Sequence, residues 1–269
     1  MRFLASKYFL LAVFSTVFLI SCSRVPITGR QQLDLISDSE LLSMSYRQYD
    51  DFLNTNKISN DKKNTALVKK VGNNIQKAVE KFFMENNISE DLNGYDWEFN
   101  LVESDEANAW AMPGGKVVFY TGILPVCQDE EGIAVVMGHE VAHAVAQHGS
   151  ERMSQGLMTQ LGGAALGVAL KDEPEETKAL WFTAYGLGAQ VGVLLPYSRL
   201  HESEADHLGL VFMAMAGYNP NGAVEFWQRM AENKKGSAPP EFLSTHPSDE
   251  TRINDLKKLI PEAMKYYKK

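Results

Sequence analysis

The stretch GHEVAHAVAQHG, Gly138 to Gly149, sets three histidines and one glutamate among small apolar residues. Its core, His139-Glu140-Val141-Ala142-His143, is the pattern H-E-x-x-H. On a helix the two histidines stand at i and i+4, project from one face and come close enough to share a tetrahedral metal, while Glu140 can reach a water held there. The neighbouring Ala, Val, Met and Gly predict a buried helix, and burying two imidazoles and a carboxylate with neither metal nor partner is costly. In a chain with 6 histidines the pattern arises by chance about once in a hundred, so it needs company before it names a chemistry.

A catalytic zinc takes three protein ligands and keeps one position open. His148 is the nearest third candidate. On a continuous helix, at about 100° per residue, it lies roughly 180° from His139 and roughly 140° from His143, so it faces away and reads as a polar residue at a helix end. The metzincin spacing fails too, because it wants Gly at 146 and His at 149, where the chain has Ala146 and Gly149. A better candidate is SRLHESEADHLG, Ser198 to Gly209. Glu202 and Asp206 stand there at i and i+4, so one helix face can offer a carboxylate to a metal and a second to a ligand histidine. Spacing alone does not choose among His201, Glu202, Glu204 and His207.

Around these stretches the pattern is α+β and mostly helical. Ser37 with Glu40 resembles a capping box opening a helix to about Leu53, and a second helix is predicted from about Asn64 to Phe83. Asp96 to Ser104 alternates, and Lys116 to Thr121 is β-branched and aromatic, so both read as strands of a small sheet, with Pro113-Gly114-Gly115 turning into the second. A helix follows from Asp129, and others from His201 to about Ala216, Pro220 to about Glu232, and Ser248 to Leu259. Two glycine-rich apolar stretches, Gly156 to Leu170 and Ala179 to Leu195, fall short of a membrane span and read as buried or membrane-facing helices. With 269 residues, 45% hydrophobic, the chain supports one sizeable core, a single domain over 37–269.

The first 21 residues have a basic start, an apolar run and small residues, the layout of a secretory signal. Leu19-Ile20-Ser21-Cys22 looks like the lipobox of bacterial lipoproteins, which makes Cys22 the lipidation site and 22–36 a lipidated linker. Several acyl chains on one cysteine hold a membrane stably. Cleavage would remove two basic residues and no acid, taking the formal charge from −8 to −10, and nothing suggests a nucleic-acid partner. Cys127 is left without a partner in the chain and reads as a small buried apolar residue.

Taken in order, NAWAMPGGKVVFYTGIL, GHEVAHAVAQHGSERMS, LPYSRLHESEADHLGL and STHPSDETRI resemble the HtpX/BepA/Oma-type zinc metallopeptidases, the family that includes the CAAX prenyl endopeptidases. The likeness runs from VPITGRQQL to the region of Arg252. It implies a zincin-like metalloprotease domain with its sheet beside the H-E-x-x-H helix, and one Zn²⁺ per chain. It makes His139, His143 and Glu202 the metal ligands and Glu140 the catalytic base. Asp206 would orient a ligand, His246 of the T-H-P motif would be an oxyanion donor or a latch on the open position, and Arg252 would steady that loop. The expected activity is hydrolysis of peptide bonds in unfolded or misassembled envelope proteins, on the periplasmic side of a bacterial membrane. Ser23 after the cysteine favours the outer over the inner membrane. Strand Lys116 to Thr121 is expected to be the edge that receives an extended substrate. Two other readings stand beside this one: a zinc-stabilised chaperone latched by His246, and a structural periplasmic lipoprotein without metal.

Overall fold

The structure is a computed structural model that describes residues 22–171, 173–233, 241–246 and 250–268. The expected signal segment lies outside the described residues. The fold is α+β and mostly helical, as the sequence predicts, with two small sheets. The described residues group into two compact units, one of residues 22–38 with 149–196 and a larger one of residues 39–148 with 197–268.

In the smaller unit, the stretch 22–36 expected as a linker pairs strand β1, Cys22–Arg24, with β2, Gln31–Leu33, antiparallel. Gly29 turns between them at φ +63°, a conformation glycine adopts without a Cβ penalty. Arg30 grips Glu151 through both nitrogens at 2.9 and 2.7 Å, and the Ser154 hydroxyl accepts from the Leu35 N–H at 2.9 Å. The two apolar stretches form long helices whose arms meet where Tyr185 donates to the Thr159 carbonyl at 2.8 Å. They are not buried: Val168 is 72%, Leu180 70% and Trp181 54% exposed.

The larger unit is built on helix α1, Asp38–Thr55, and helix α2, Lys62–Glu85. Asp61 caps α2 by accepting from the Asn64 N–H at 3.0 Å. Val68, Val71, Ile75, Val79 and Phe82, three or four apart, bury its inner face. The sheet has three strands: β3 (Glu98–Val102), β4 (Ala109–Met112) and β5 (Lys116–Tyr120), in the order β3-β5-β4. Strand β5 runs parallel to β3 and antiparallel to β4. Here the expected edge is corrected. Lys116 to Thr121 is the central strand, because Gly114 and Gly115 at φ +87° and +82° fold the short β4 back against it. Beyond β3, Ile58 bridges to Val102 and the Ser59 N–H donates to the Leu101 carbonyl at 2.8 Å. Among the described residues no strand pairs with the outer side of β4.

Helix α3, Glu130–Val145, follows. Its N-cap Asp129 accepts from the Gly132 N–H at 2.8 Å, Glu130 and Glu131 occupy its first turn where negative charge is favoured, and every residue from Gly132 to Val145 is buried. Helix α4, His148–Ala169, begins after a break, and helix α5, Glu175–Ala189, leads through a π-helical turn at Gln190–Leu194 into helix α6, Leu195–Met215. Helix α7, Gly222–Asn233, a short α8, Glu241–Thr245, and α9, Glu250–Ala263, complete the chain. Helices α3 and α6 cross at glycine on glycine. A Cβ on Gly138 would stand 2.8 Å from the Gly209 carbonyl oxygen, and one on Gly209 2.9 Å from the His139 nitrogen. Only two residues without side chains let these backbones approach so closely, and that approach sets the distance between the histidines of α3 and the carboxylates of α6.

Candidate metal centre

His139 and His143 leave the same face of α3, as their spacing requires, and Glu202 on α6 reaches both: His139 Nε2 is 3.4 Å from Glu202 Oε2, and His143 Nε2 is 3.2 Å from Glu202 Oε1. The two histidine Nε2 atoms are 3.1 Å apart. His246, just after α8, brings its Nδ1 to 2.9 Å from Glu202 Oε2 and 3.1 Å from His139 Nε2. One donor atom from each of these four residues lies within 4.8 Å of all the others. At bond lengths of about 2.0–2.2 Å, the edge of a tetrahedral zinc site is roughly 3.3–3.6 Å. Three imidazoles and a carboxylate at these separations therefore fit a zinc-sized cation, and two imidazole nitrogens aimed at each other without a shared proton or cation would repel.

The other predicted residues lie around this set. Asp206 Oδ1 is 3.0 Å from His139 Nδ1, the nitrogen turned away from the cluster. Arg252 on α9 donates to both Asp206 oxygens, from Nε at 2.8 Å and from an Nη at 2.7 Å, lies 3.2 Å from Glu202 Oε2 and stacks 3.5 Å over the Trp227 ring. Glu140 is buried, and its Oε1 has no hydrogen-bond partner among the described residues. Its neighbour there is His246 Nε2, at 3.4 Å. The loop carrying His246 is tied down where the Phe242 N–H donates to the Ala107 carbonyl at 3.1 Å, just before β4.

The ionisable groups are strongly biased. Burial opposes charge on His139, but its hydrogen bonds to Asp206 and Glu202 prevail and raise its pKa to about 9. Burial drives His143 well below the ordinary imidazole value. Glu202 lies far below the usual carboxylate range because the three histidines outweigh its desolvation. Asp206 is also desolvated, yet Arg252 and His139 hold its carboxyl down. Glu140 moves up, chiefly through burial. The cluster thus holds its two α6 carboxylates ionised against buried nitrogens, which is how a cation site is charged.

His148 departs from the sequence reading. It does stand at a helix end, as the first residue of α4, but it does not face away: it is fully buried, with its Nδ1 2.9 Å from His143 Nδ1. The 100° projection holds for one continuous helix, whereas α3 stops at Val145 and Gln147 takes φ +55°, so the projection no longer applies at His148, whose ring meets that of His143. The change from Ala and Val to Gln147-His148-Gly149-Ser150 was the visible sign of that break. Glu204 and His201, left open by spacing, belong to this arrangement: Glu204 Oε2 is 3.3 Å from His148 Nε2, and His201 stacks on the His148 ring at 4.4 Å. His207 lies elsewhere, 3.3 Å from Glu262.

Residues 69–260 match the sequence profile of Peptidase family M48. The chain belongs to that family. The mitochondrial metalloendopeptidase OMA1 of Saccharomyces cerevisiae is 34% identical over 212 residues, 74% of this chain and 57% of that protein. The OMA1 of Schizosaccharomyces pombe is 38% identical over 169 residues, 62% of the chain and 48% of the relative. The beta-barrel assembly-enhancing protease of Yersinia pestis is 28% identical over 166 residues, 60% and 34% respectively. The chain spans about half the length of the first two of these relatives. The M48 match takes in all the α3 and α6 residues of the centre together with His246 and Arg252.

Proposed function

We propose that this M48 chain is a zinc-dependent endopeptidase in which His139, His143 and Glu202 hold one Zn²⁺, His246 closes the fourth position at rest, and Glu140 is the general base. The observation that carries this reading is the convergence of those donors beside a buried carboxylate oxygen, Glu140 Oε1, that has no hydrogen-bond partner among the described residues. Zinc, when bound, supplies Lewis acidity that polarises a peptide carbonyl and makes water a nucleophile at neutral pH. Glu140 takes the proton of the attacking water and delivers it to the leaving amine, and its burial, by raising its proton affinity, suits that exchange. His246 Nε2 stands on the Glu140 side of the cluster, so the same side chain can leave the donor set and offer N–H to the developing oxyanion. Asp206, held by Arg252, fixes the ring of His139. An extended substrate adds to β4, whose outer side carries no strand among the described residues, rather than to β5.

The cellular setting is part of the proposal. Cys22 after an apolar run supports a lipid anchor on the periplasmic face of a bacterial membrane, the outer one favoured by Ser23, and the likeness to a beta-barrel assembly-enhancing protease supports misassembled envelope proteins as substrates. The test is cleavage of an unfolded protein by the full chain and by Glu140→Gln at matched zinc loading. Cleavage by the former alone is the expected result; cleavage by neither, with one zinc bound per chain, would overturn it. A second reading has support in the position of His246 among the donors, which describes a latched protein that holds clients without cutting them. Client binding that persists in Glu140→Gln, with no turnover in either protein, would favour it.

A further inference from the structure

Behind the ligand His143 lie two buried polar groups that the hydrolytic mechanism does not use, His148 and Glu204. We infer that His148, oriented by Glu204, is a positioning residue that fixes the ring and the tautomer of the ligand His143. The inference rests on the proposal that His143 binds metal through Nε2.

The chemistry runs one way. A neutral imidazole that gives its Nε2 lone pair to a cation carries its proton on Nδ1. His143 Nδ1 is 2.9 Å from His148 Nδ1, and two ring nitrogens at that distance share one proton, so His143 donates and His148 accepts. His148 must then carry its own proton on Nε2, which is 3.3 Å from Glu204 Oε2, a carboxylate oxygen placed to accept it. Glu204 thus selects the His148 tautomer, and His148 selects that of His143. The alternative, with a proton on His148 Nδ1, would turn the lone pair of His143 Nδ1 toward it, put the His143 proton on Nε2 and take that nitrogen out of the donor set. Position is fixed as well as protonation. His148 and Glu204 are both buried, and His201 lies over the His148 ring at 4.4 Å with 14° between the planes. His139 is served separately by Asp206, so each ligand histidine has its own oriented partner: a carboxylate directly for one, a carboxylate acting through a second imidazole for the other.

The experiment measures zinc affinity of the full chain by competition with a chromophoric chelator, together with the visible absorption of the Co²⁺-loaded protein. Four proteins are compared: wild type, His143→Ala, His148→Phe and His148→Asn. Removing such an oriented partner costs about 10–100-fold in metal affinity. His148→Phe fills the space without an acceptor and is expected to lose affinity in that range and to change the Co²⁺ spectrum. His148→Asn places a carbonyl oxygen where Nδ1 was, and is expected to recover most of both. A wild type that binds no metal, or a His143→Ala that binds like wild type, would overturn the underlying proposal. A wild type that binds one zinc with His148→Phe equal to it would overturn this inference alone. Equal losses in Phe and Asn would also overturn it, since they would mean that His148 only fills space. If Phe does not fold, Glu204→Gln, which keeps the shape but lets an N–H face His148 Nε2, is expected to weaken zinc binding, and an unchanged affinity there has the same overturning force.

Discussion

Gly209→Ala tests whether the crossing of α3 and α6 places the metal site. On an ordinary exposed helix the change stabilises by about 1 kcal/mol, because alanine is the better helix former. At Gly209 the new Cβ would stand 2.9 Å from the His139 nitrogen and 3.0 Å from the Gly138 carbonyl carbon. These are backbone atoms that cannot swing aside, and carbon contacts relax at about 3.5–4.0 Å, so the helices must part by about half an ångström or more. Overpacking of this kind costs about 1–3 kcal/mol. The net effect on the metal-free fold, read from urea unfolding in chelator, is therefore a loss of about 0–2 kcal/mol. The effect on the site is larger. Glu202 and Asp206 precede Gly209 on the same helix and move with it, while their contacts to His139 are only 3.4 and 3.0 Å long. Functional constellations tolerate displacements of about 0.5 Å, so zinc affinity is expected to fall by about 10-fold or more. Gly186→Ala, with open space around the new Cβ, is the control: it should gain stability and bind zinc as wild type does. A Gly209→Ala protein that gains about 1 kcal/mol and binds zinc normally would refute the reasoning.

Arg252→Met removes the guanidinium that answers both Asp206 and Glu202. Breaking a buried pair from one side costs about 3–5 kcal/mol, which for a chain of this size is about 6–20 °C in Tm; a calorimetric loss under about 1 kcal/mol would contradict the buried pairing. Asp206 supplies a pH test. Its carboxyl is held below its ordinary value, so its stabilisation is complete above the unfolded pKa of about 3.9 and disappears as pH falls through the lower folded value. Asp206→Asn should therefore be less stable than wild type at pH 7, with the gap closing only below about pH 4. Urea midpoints in chelator at several pH values would show it, and a gap independent of pH would count against an ionised Asp206.

Much of this site was legible because it depends on short-range geometry. An i,i+4 pair of histidines on a helix has one face to share, and the residues from Gly132 to Val145 are too uniformly apolar for that helix to lie anywhere but inside. Glu202 and Asp206 obey the same rule on α6, and where spacing leaves several candidates the family likeness points to Glu202, which the structure places beside His139 and His143. Two things were out of reach. The pairing order of the sheet depends on β4, four residues whose backbone returns through two glycines at positive φ, so the strand that precedes the active helix, expected at the edge by likeness to related zinc proteases, is the centre. His148 was out of reach because a helical projection carries no information past the helix end, and a single residue, Gln147 at φ +55°, reverses the conclusion.

That reversal also explains how so small a volume holds so many ionisable groups. Had α3 continued, His148 would have faced away from the ligands, and His143 would have needed another acceptor for Nδ1. By stopping at Val145 and restarting at His148, the chain uses a five-residue separation to place an imidazole behind His143, one of the proposed ligands, a contact the periodicity of one helix forbids. The price is a non-glycine residue at positive φ, of order 1–3 kcal/mol. A Gln147→Gly substitution relieves it, so it should stabilise the fold unless the Gln147 side chain contributes more than the strain it costs. If the backbone conformation is what matters, zinc affinity should stay within about twofold of wild type. Gln147→Pro, whose ring locks φ near about −65°, should instead misdirect His148 and lower affinity as His148→Phe does. Normal zinc binding by Gln147→Pro would mean that the turn does not place His148, and that some other constraint brings its ring to His143.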